Sequence, residues 1–293
     1  MSRKWEGDLP KMIRDKSITV SDPAGRKIRC LRDNDAFEIA EACSLSIRRV
    51  YAETLKRNIY PQRYIRNRNI ISSAEQLRLA ESKVAVVGAG GLGGYIIFLL
   101  ARIGIGHLVV VDHDVFEETN LNRQAMCDTN TIGMDKPSVA VGRVAEINPG
   151  VEVIAVQTKV TSSNVCEILR DCHVVVDALD NIPDRFILET AAKRMKVPVI
   201  HGALAGFEGR IMTIFPGDSG LANLYGNGDT SVDAAETPEA VLGVPAVTPS
   251  IIASFQVMEV IKILLNRGRV LRNMMIHLDL EEGTMEEFFF DQT

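Results

Sequence analysis

Cysteine is scarce in this sequence and never occurs in the paired motifs that bind zinc or cycle between thiol and disulfide. The five cysteines are Cys30, Cys43, Cys127, Cys166 and Cys172, and no two of them are separated by only two residues. This spacing excludes a zinc ribbon and a CxxC redox site. The first residues, MSRKWEGDLPKMIRDK, lack the apolar run of a secretory signal peptide. We therefore expect a cytoplasmic protein with reduced thiols.

Positive charge is unevenly distributed along the 293 residues, whose formal net charge is −5. Residues 1–69 contain 16 Lys and Arg against 9 Asp and Glu, a surplus of seven positive charges. Residues 70–293 contain 17 against 29, and no Lys or Arg occurs from Ile211 to Ile261. A basic front end on an acidic body suggests two roles, because nucleic acids and anionic surfaces attract the first. Ordinary solvated surface charge is the alternative.

One long segment has no charged residue at all. Val84 to Ala101 reads VAVVGAGGLGGYIIFLLA and reaches the length of a membrane-spanning helix. Five glycines lie between Gly88 and Gly94, however, and glycine is unfavourable inside a helix. We therefore predict a buried strand, a glycine-rich turn and a buried helix here, and no membrane segment.

From Lys83 onward, apolar runs rich in valine and isoleucine alternate with helical patterns. Such runs, without in–out alternation, are typical of parallel strands that helices cover on both faces. The predicted fold class is α/β, with a Rossmann-like, mostly parallel sheet and added antiparallel strands. Its predicted strands are 83–87, 107–112, 151–156, 174–177 and 197–200, with 210–215 and 274–279 added at one side, and its predicted helices are 92–103, 136–147, 163–170, 184–196 and 248–265.

Three parts of the chain are predicted: a small, mainly helical N-terminal domain (1–60), a basic link with a lead-in helix (61–82), and a nucleotide-binding domain (83–293). Residues 216–247 of the last form a long acidic, glycine-rich crossover loop, which is typical of a lid or of disorder.

The N-terminal residues contain a helix-turn-helix pattern. Val20 to Cys30 predicts a hairpin around Pro23, and a helical stretch with a break near Cys43 follows from Asp35 to Asn58. Ala40, Ser44 and Val50 have helix-turn-helix spacing in this stretch, and its second helix carries Arg48, Arg49, Lys56 and Arg57. These features fit a recognition helix in a DNA groove. The alternative is a helical pair that packs on the main domain or on a partner.

The glycine-rich turn has the context of a nucleotide site. Gly88-Ala89-Gly90-Gly91-Leu92-Gly93 follows a predicted strand and opens a predicted helix. Glycines permit a tight turn and let a phosphate approach the amides at the helix N-terminus. Asp112 ends the next strand, where a carboxylate can bind ribose hydroxyls. A tight turn without a ligand is the alternative.

Further polar residues favour a triphosphate over a dinucleotide. The segment TNLNRQ (119–124) follows Asp112 closely, Lys136 begins the next helix, and Asp180 follows the fourth strand. Because the carboxyl ends of parallel strands meet at one edge, these side chains can converge there. A triphosphate needs cations and a metal held by a carboxylate, whereas a dinucleotide needs neither. We therefore expect ATP and Mg²⁺ rather than the nicotinamide cofactor of a dehydrogenase.

Several motifs together resemble the MoeB/ThiF/HesA adenylyltransferases, the bacterial relatives of ubiquitin-activating enzymes. The resemblance is carried by GAGGLG, VVDHDVFEETNLNRQ, the lysine of IGMDK, VVDALDN and GALAGFEGRI, from about Arg63 to near the C-terminus. It implies that a substrate carboxylate attacks the α-phosphate of ATP, so that an acyl-adenylate forms and pyrophosphate leaves. The implied substrate is the C-terminal Gly-Gly of a ubiquitin-fold sulfur-carrier protein, as in molybdopterin/tungstopterin or thiamine biosynthesis.

The resemblance also implies residue roles. Lys136 stabilises charge on the reacting phosphate and leaving group, Asp180 binds Mg²⁺, and Asp112 holds the ribose. Arg66 matches an arginine that reaches into the neighbouring subunit's site, which implies a homodimer. Arg123 and Asn120 contact phosphates. The other implied nucleotide-binding residues are Gly88, Gly90, Gly91, Gly93, Asp114, Thr119, Leu121, Asn122 and Asn181.

Two features of the family are missing. Many members hold zinc with two CxxC pairs, but Gly217 to Tyr225 contain no cysteine and none follows Cys172. Members that form a thioester carry a cysteine shortly before the Gly243-Val244 step, where this chain has Glu239. We therefore expect no zinc site and a separate sulfur donor, such as a cysteine desulfurase. Cys127 is the nearest substitute nucleophile, and a structural thiol is its alternative role.

Two other functions stay open from the sequence. One is a DNA-binding regulator whose nucleotide domain senses ATP, and the other is adenylation of a different carboxylate substrate.

Overall fold

The computed structural model describes residues 8–22, 24–226 and 238–290, apart from the side chain of Glu239. Pro23 of the predicted hairpin, residues 227–237 of the predicted crossover loop and the Glu239 side chain therefore lie outside the description. The helices and strands in chain order are α1 (Leu9–Lys16), β1 (Ile18–Ser21), β2 (Lys27–Leu31), α2 (Asp33–Cys43), α3 (Ile47–Leu55), β3 (Tyr60–Pro61), α4 (Ser73–Ala80), β4 (Lys83–Val87), α5 (Gly91–Ile103), β5 (His107–Asp112), α6 (Lys136–Ile147), β6 (Glu152–Gln157), α7 (Val165–Ile168), β7 (Val174–Asp177), α8 (Ile182–Met195), β8 (Val199–Ala205), β9 (Glu208–Ile214), α9 (Ala222–Tyr225), α10 (Pro238–Leu242), α11 (Val247–Leu265), β10 (Met274–Asp279) and β11 (Thr284–Phe289).

The main sheet contains eight strands in the order β11-β10-β9-β8-β7-β4-β5-β6. Strands β4 to β8 pair in parallel, whereas β9, β10 and β11 are antiparallel additions at one side. The predicted α/β class and its mostly parallel sheet are thus confirmed. Strand β11 was not predicted, because it is exposed along its whole length and its two glutamates interrupt the apolar run.

Both faces of the parallel strands are buried, which explains their nearly continuous apolar sequence. Val84 and Val86 of β4 face a core formed with α5, α6 and α11. Ala85 and Val87 of the same strand face a second core formed with α7 and α8. Helix α11 is long and apolar enough to cross a membrane, yet half of that span is buried, and its inner face belongs to the first core.

The N-terminal residues form three helices around a small sheet. Strands β1 and β2 form the expected hairpin, and β3 adds to β2 in parallel, across the predicted boundary at residue 60. Helix α2 ends at Cys43, and Ser44 takes a left-handed conformation with φ of 53°. Ser46 then caps α3 by accepting a hydrogen bond from the Arg49 amide. The unpredicted strand β3 therefore extends the predicted hairpin into a small three-stranded sheet.

The cations of α3 and of the two residues after it pair with carboxylates of the same chain. Arg49, Lys56 and Arg57 all contact Glu53. Arg48 contacts Glu152 of β6, so α3 lies against the main sheet's domain rather than standing free. This arrangement matches the alternative of a helical pair that packs on the main domain.

The link after α3 is also tied to the main domain. Arg63 contacts Asp33 and donates a hydrogen bond of 2.8 Å to the carbonyl of Ile147, the last residue of α6. The hydroxyl of Tyr64 accepts a hydrogen bond of 2.8 Å from Asn148. The N-terminal residues are therefore fixed to the C-terminal end of α6, the helix that begins at Lys136.

Candidate active site

The glycine-rich turn lies between β4 and α5 and is held against two neighbouring strand ends. Gly88 has φ of +95°, and a Cβ on it would lie 2.4 Å from the carbonyl oxygen of Ala178, so only glycine fits there. The Gly88 amide donates to Val111 over 2.8 Å. The Ala89 amide donates to the carboxylate of Asp112 over 2.7 Å. Close packing therefore fixes the shape of the turn.

The other glycines of the turn divide into two roles. A Cβ on Gly93 would lie 1.9 Å from the Gly88 carbonyl oxygen, so Gly93 lets α5 pack directly on the turn. Gly90 and Gly91 line the adjacent cavity. Gly90 precedes α5 without a side-chain cap, and this leaves amides at the helix N-terminus available to an anion.

A cavity of about 340 Å³ lies above this turn, at the carboxyl edge of the parallel strands. Many residues predicted from the sequence meet at it, and they come from three strand ends, the starts of three helices and the segment between β5 and α6. The predicted residues that line it are Gly88, Gly90, Gly91, Asp112, Asp114, Arg123, Lys136, Asp180 and Asn181. The sheet topology thus brings together side chains that are up to 93 residues apart in sequence, from Gly88 to Asn181.

Two acidic side chains after β5 are each engaged by a neighbour. Besides the Ala89 amide, the Asp112 carboxylate accepts a hydrogen bond of 2.9 Å from the Asp114 amide. Lys136 is buried, and its Nζ lies 3.1 Å from Oδ2 of Asp114. Asp135 caps the start of α6 through the Ser138 amide. The ammonium group of Lys136 is therefore held at the cavity by the first turn of α6.

Only the last two residues of the TNLNRQ segment, Arg123 and Gln124, line the cavity. Asn120 is buried and accepts a hydrogen bond from the Glu117 amide, so in this structure its side chain stabilises its own turn. Arg123 donates to the Thr119 carbonyl over 3.0 Å and to Asn122 over 2.9 Å. The side-chain Nδ2 of Asn122 also donates to the Val244 carbonyl over 3.1 Å. Thr119, Asn120, Leu121 and Asn122 thus lie outside the cavity lining. Thr119 and Asn122 hold the guanidinium of Arg123.

Asp180 is the exposed carboxylate at the end of β7. Its Oδ1 accepts a hydrogen bond of 3.3 Å from Asn181, which caps α8 through the Asp184 amide over 2.9 Å. Mg²⁺ in proteins is held by one or two carboxylates together with phosphate oxygens and water. An exposed carboxylate at the cavity fits this donor set, and Asp180 with Asn181 beside it could hold the ion.

A second group of possible metal ligands lies across the cavity. Donor atoms of Asp112, His113 and Asp114 lie within 4.8 Å of one another. The two carboxylates already bind the Ala89 amide and the Lys136 ammonium. Asp180 is thus the freer carboxylate.

Sequence reasoning missed several residues that line the cavity. Lys159 follows β6, and its Nζ lies 3.3 Å from Oδ2 of the buried Asp184. Gln124 is buried, and its Oε1 has no hydrogen-bond partner among the described residues. Arg185 of α8 also borders the cavity. The position of Lys159 at a strand's carboxyl end was the signal that could have identified it.

Two further residues singled out from the sequence lie apart from the cavity. Arg66 is exposed on the link and makes no hydrogen bond or ion pair with another described residue. Cys127 is half-buried, and burial raises the pKa of its thiol. A protonated thiol is a weak nucleophile, so this environment does not activate Cys127.

Comparison with known proteins gives a family match, relatives and a shared fold. The sequence model of the ThiF family matches residues 63–292. The chain is 38% identical over 212 residues to the SAMP-activating enzyme E1 of Haloferax volcanii, covering 72% of this chain and 77% of that protein. It is 34% identical over 216 residues to the sulfur carrier protein adenylyltransferase of Thermus thermophilus, covering 72% and 80%. The crystal structure of E. coli MccB with ATP has the same fold, with a TM-score of 0.66 and 17% identity over 88% of this chain and 83% of that one.

Proposed function

The chain belongs to the ThiF family, and we propose that it is an ATP-dependent adenylyltransferase that activates the C-terminal Gly-Gly carboxylate of a ubiquitin-fold sulfur carrier. The observation that carries this proposal is one cavity that combines a helix N-terminus, the cations Arg123 and Lys136, and the carboxylate of Asp180. The names of the relatives, a SAMP-activating enzyme and a sulfur carrier protein adenylyltransferase, support the substrate class.

In the proposed reaction, a carboxylate oxygen of the carrier forms a bond to the α-phosphorus of ATP. The bond from that phosphorus to the bridging oxygen breaks, and pyrophosphate leaves with the electron pair. The amides at the start of α5 and the guanidinium of Arg123 bind phosphate oxygens. Lys136 offsets the charge that develops on the leaving group, and its burial strengthens this effect.

The ribose and the metal have separate places in this proposal. Asp112 accepts hydrogen bonds from the ribose hydroxyls, while its contact with the Ala89 amide keeps it oriented. Asp180, with Asn181 beside it, would hold Mg²⁺. When bound, the ion neutralises charge on the phosphate oxygens.

The sulfur carrier's tail would reach the cavity beside the crossover loop. Ala240, Val244 and Pro249 line the cavity on that side. The carrier then receives sulfur from a separate donor, such as a cysteine desulfurase, in molybdopterin/tungstopterin or thiamine biosynthesis. We propose that these reactions take place in the cytoplasm.

A homodimer in which Arg66 acts in trans completes the proposal. Arg66 is exposed and without a partner in the described part of the chain. Five large apolar side chains between Val115 and Val141 are exposed, and a homodimer interface would cover such side chains. They are Val115, Leu121, Ile132, Met134 and Val141.

Pyrophosphate exchange into ATP tests the activity directly. Exchange should require a carrier with an intact Gly-Gly end, and mass spectrometry should detect its acyl-adenylate. Asp180→Ala should abolish exchange without changing the circular dichroism spectrum, and exchange retained in this variant would reject its metal role. Exchange with other carboxylates but with no Gly-Gly carrier would replace the proposed substrate class.

Mixing two inactive variants tests the trans role of Arg66. In a mixed dimer of Arg66→Ala and Lys136→Ala protomers, one of the two sites contains both residues. Random mixing should therefore restore about a quarter of the wild-type exchange rate. Full activity of Arg66→Ala alone would exclude this role.

A further inference from the structure

A buried polar group lies directly beneath the loop that carries Asp180. It consists of Asp177, Arg185, His201 and Tyr225, which come from β7, α8, β8 and α9. Asp177, Arg185 and His201 are almost completely inaccessible to solvent. Burying charged groups is costly unless they are hydrogen-bonded to one another, so their arrangement needs a reason.

The group holds both backbone polar atoms of Leu179, the residue before Asp180. The Leu179 amide donates to the Asp177 carboxylate over 3.0 Å. The Leu179 carbonyl accepts two hydrogen bonds from Arg185, of 2.6 Å from the terminal nitrogen and 3.2 Å from Nε. Because the peptide group is planar, fixing this carbonyl also fixes the amide of Asp180.

The remaining hydrogen bonds close a ring. Arg185 donates to the Tyr225 hydroxyl over 3.1 Å, and that hydroxyl lies 3.4 Å from Nε2 of His201. Nδ1 of His201 lies 2.7 Å from Oδ2 of Asp177. Burial lowers the pKa of His201, which favours the neutral ring. With its proton on Nδ1, His201 donates to Asp177 and accepts from the Tyr225 hydroxyl, which completes the ring of hydrogen bonds.

We propose that Arg185 is a positioning residue for adenylation, which with Asp177, His201 and Tyr225 fixes the Leu179–Asp180 peptide so that the Asp180 carboxylate meets the metal–ATP complex. This inference rests on the proposed function. It also gives a reason for arginine at this position, because a lysine has no fork with which to bind one carbonyl twice and a hydroxyl at the same time.

The ring connects two parts of the site that are distant in sequence. Tyr225 is the last residue of α9 and lies within the predicted crossover loop. Its ring packs edge-on against His201 with centroids 5.9 Å apart. The position of the metal-binding loop therefore depends on a residue of the segment that borders the carrier's approach.

Four variants test the proposal. Arg185→Gln removes the hydrogen bonds from the guanidinium to Leu179 and Tyr225, and Tyr225→Phe removes the hydroxyl that links Arg185 to His201. Arg185→Lys keeps the positive charge but not the guanidinium. Arg194→Gln is the matched control, because Arg194 lies on the same helix, is exposed and is outside the ring. Circular dichroism and melting temperature report folding in every case.

The deciding measurement is Mn²⁺ binding followed by electron paramagnetic resonance in the presence of a non-hydrolysable ATP analogue. This measurement needs no carrier. It therefore tests the positioning role of Arg185 even if the proposed activity on a sulfur carrier is not observed. Arg185→Gln should weaken Mn²⁺ binding about tenfold, and Arg185→Lys should not restore it. ATP-analogue binding without metal should stay within twofold of wild type.

Exchange assays give a second readout where a carrier is active. Arg185→Gln should lower kcat about 10- to 100-fold and leave KM for the carrier unchanged. Tyr225→Phe should show a smaller loss of Mn²⁺ affinity in the same direction, and it decides the matter if Arg185→Gln does not fold. Wild-type Mn²⁺ affinity in a folded ring variant, or an equal loss in Arg194→Gln, would overturn the proposal.

Discussion

Replacing Gly93 by alanine should displace the glycine-rich turn from its binding geometry. The added Cβ would lie 1.9 Å from the carbonyl oxygen of Gly88 and 2.7 Å from its carbonyl carbon. Carbon–oxygen contacts of this kind settle at about 3.3–3.6 Å, so the turn or α5 must move by more than about 1 Å. Neither atom belongs to a side chain that can rotate away. Gly88 is itself pressed against Ala178, so the turn has little room to move in that direction.

The energetic cost follows from this overlap. Overpacking costs about 1–3 kcal/mol, and the better helix propensity of alanine offsets about 0.5–1 kcal/mol of it. The net loss of about 1–2 kcal/mol should lower the melting temperature by roughly 2–5 °C in a chain of this length. A displacement of 1 Å at a reacting centre can cost about 100-fold in rate. Pyrophosphate exchange should therefore fall about 10- to 100-fold, and calorimetry should detect weaker ATP binding.

Gly142 provides the matched control, because it is also a glycine inside a helix. Nothing lies within 4 Å of a Cβ placed on Gly142, which is exposed on α6. Gly142→Ala should therefore raise the free energy of unfolding by about 0.5–1 kcal/mol and leave exchange unchanged. If Gly93→Ala keeps wild-type stability and ATP affinity, or if both variants behave alike, the close-packing explanation of the turn is wrong.

Two further predictions concern residues outside the cavity. Cys127→Ser should retain pyrophosphate exchange and acyl-adenylate formation, because burial keeps the Cys127 thiol protonated; loss of exchange in a folded variant would give this thiol a chemical role. Arg63→Gln should lower the free energy of unfolding by about 1–3 kcal/mol in denaturant titrations, since it removes charged hydrogen bonds to Asp33 and Ile147. Burial alone would raise the pKa of Asp33, but hydrogen bonds from Arg63 and Tyr51 outweigh it and lower that pKa. The wild type should therefore lose this contribution as the pH falls through the lowered pKa of Asp33, whereas Arg63→Gln should show a smaller loss; equal acid sensitivity of the two proteins would contradict this role of Arg63.

The sequence predicts the interior of the fold better than its edges. Strands β4, β5, β7 and β10 and helix α6 begin and end at the predicted residues, because apolar runs on both faces of a buried sheet have clear ends. Helix α8 begins two residues before the predicted Asp184, since Asn181 caps it and Pro183 suits its first turn. The pairing of β3 depends on β2, about 30 residues earlier in the chain, and no local pattern reveals it. Strand β11 follows β10 directly, but it is exposed along its whole length and has no apolar pattern.

The same distinction applies to the candidate site. Asp112, Lys136 and Asp180 could be predicted to converge, because each follows from a strand end or a helix start. The positioning role of Arg185 could not be predicted, because it depends on a hydrogen bond to Tyr225, which lies 40 residues further along the chain. Lys159 likewise acquires a partner only when β6 is placed near α8. Residues proposed to bind a ligand can be predicted from their place at a strand end or helix start. Residues that orient them can be identified only from the contacts in the folded structure.

Several cations of the first 69 residues are paired with carboxylates of the same chain. Arg48 pairs with Glu152, Arg68 with Asp22, and Arg63 with Asp33. A nucleic-acid surface needs cations that are free to displace the counterions of phosphates, and each of these cations would first have to leave a carboxylate. The exposed Arg66 differs from them, because it contacts no other described residue through a hydrogen bond or ion pair. A guanidinium without such a partner, on a link fixed to α6, supports the proposal that Arg66 binds the triphosphate of a neighbouring subunit rather than a polyanion.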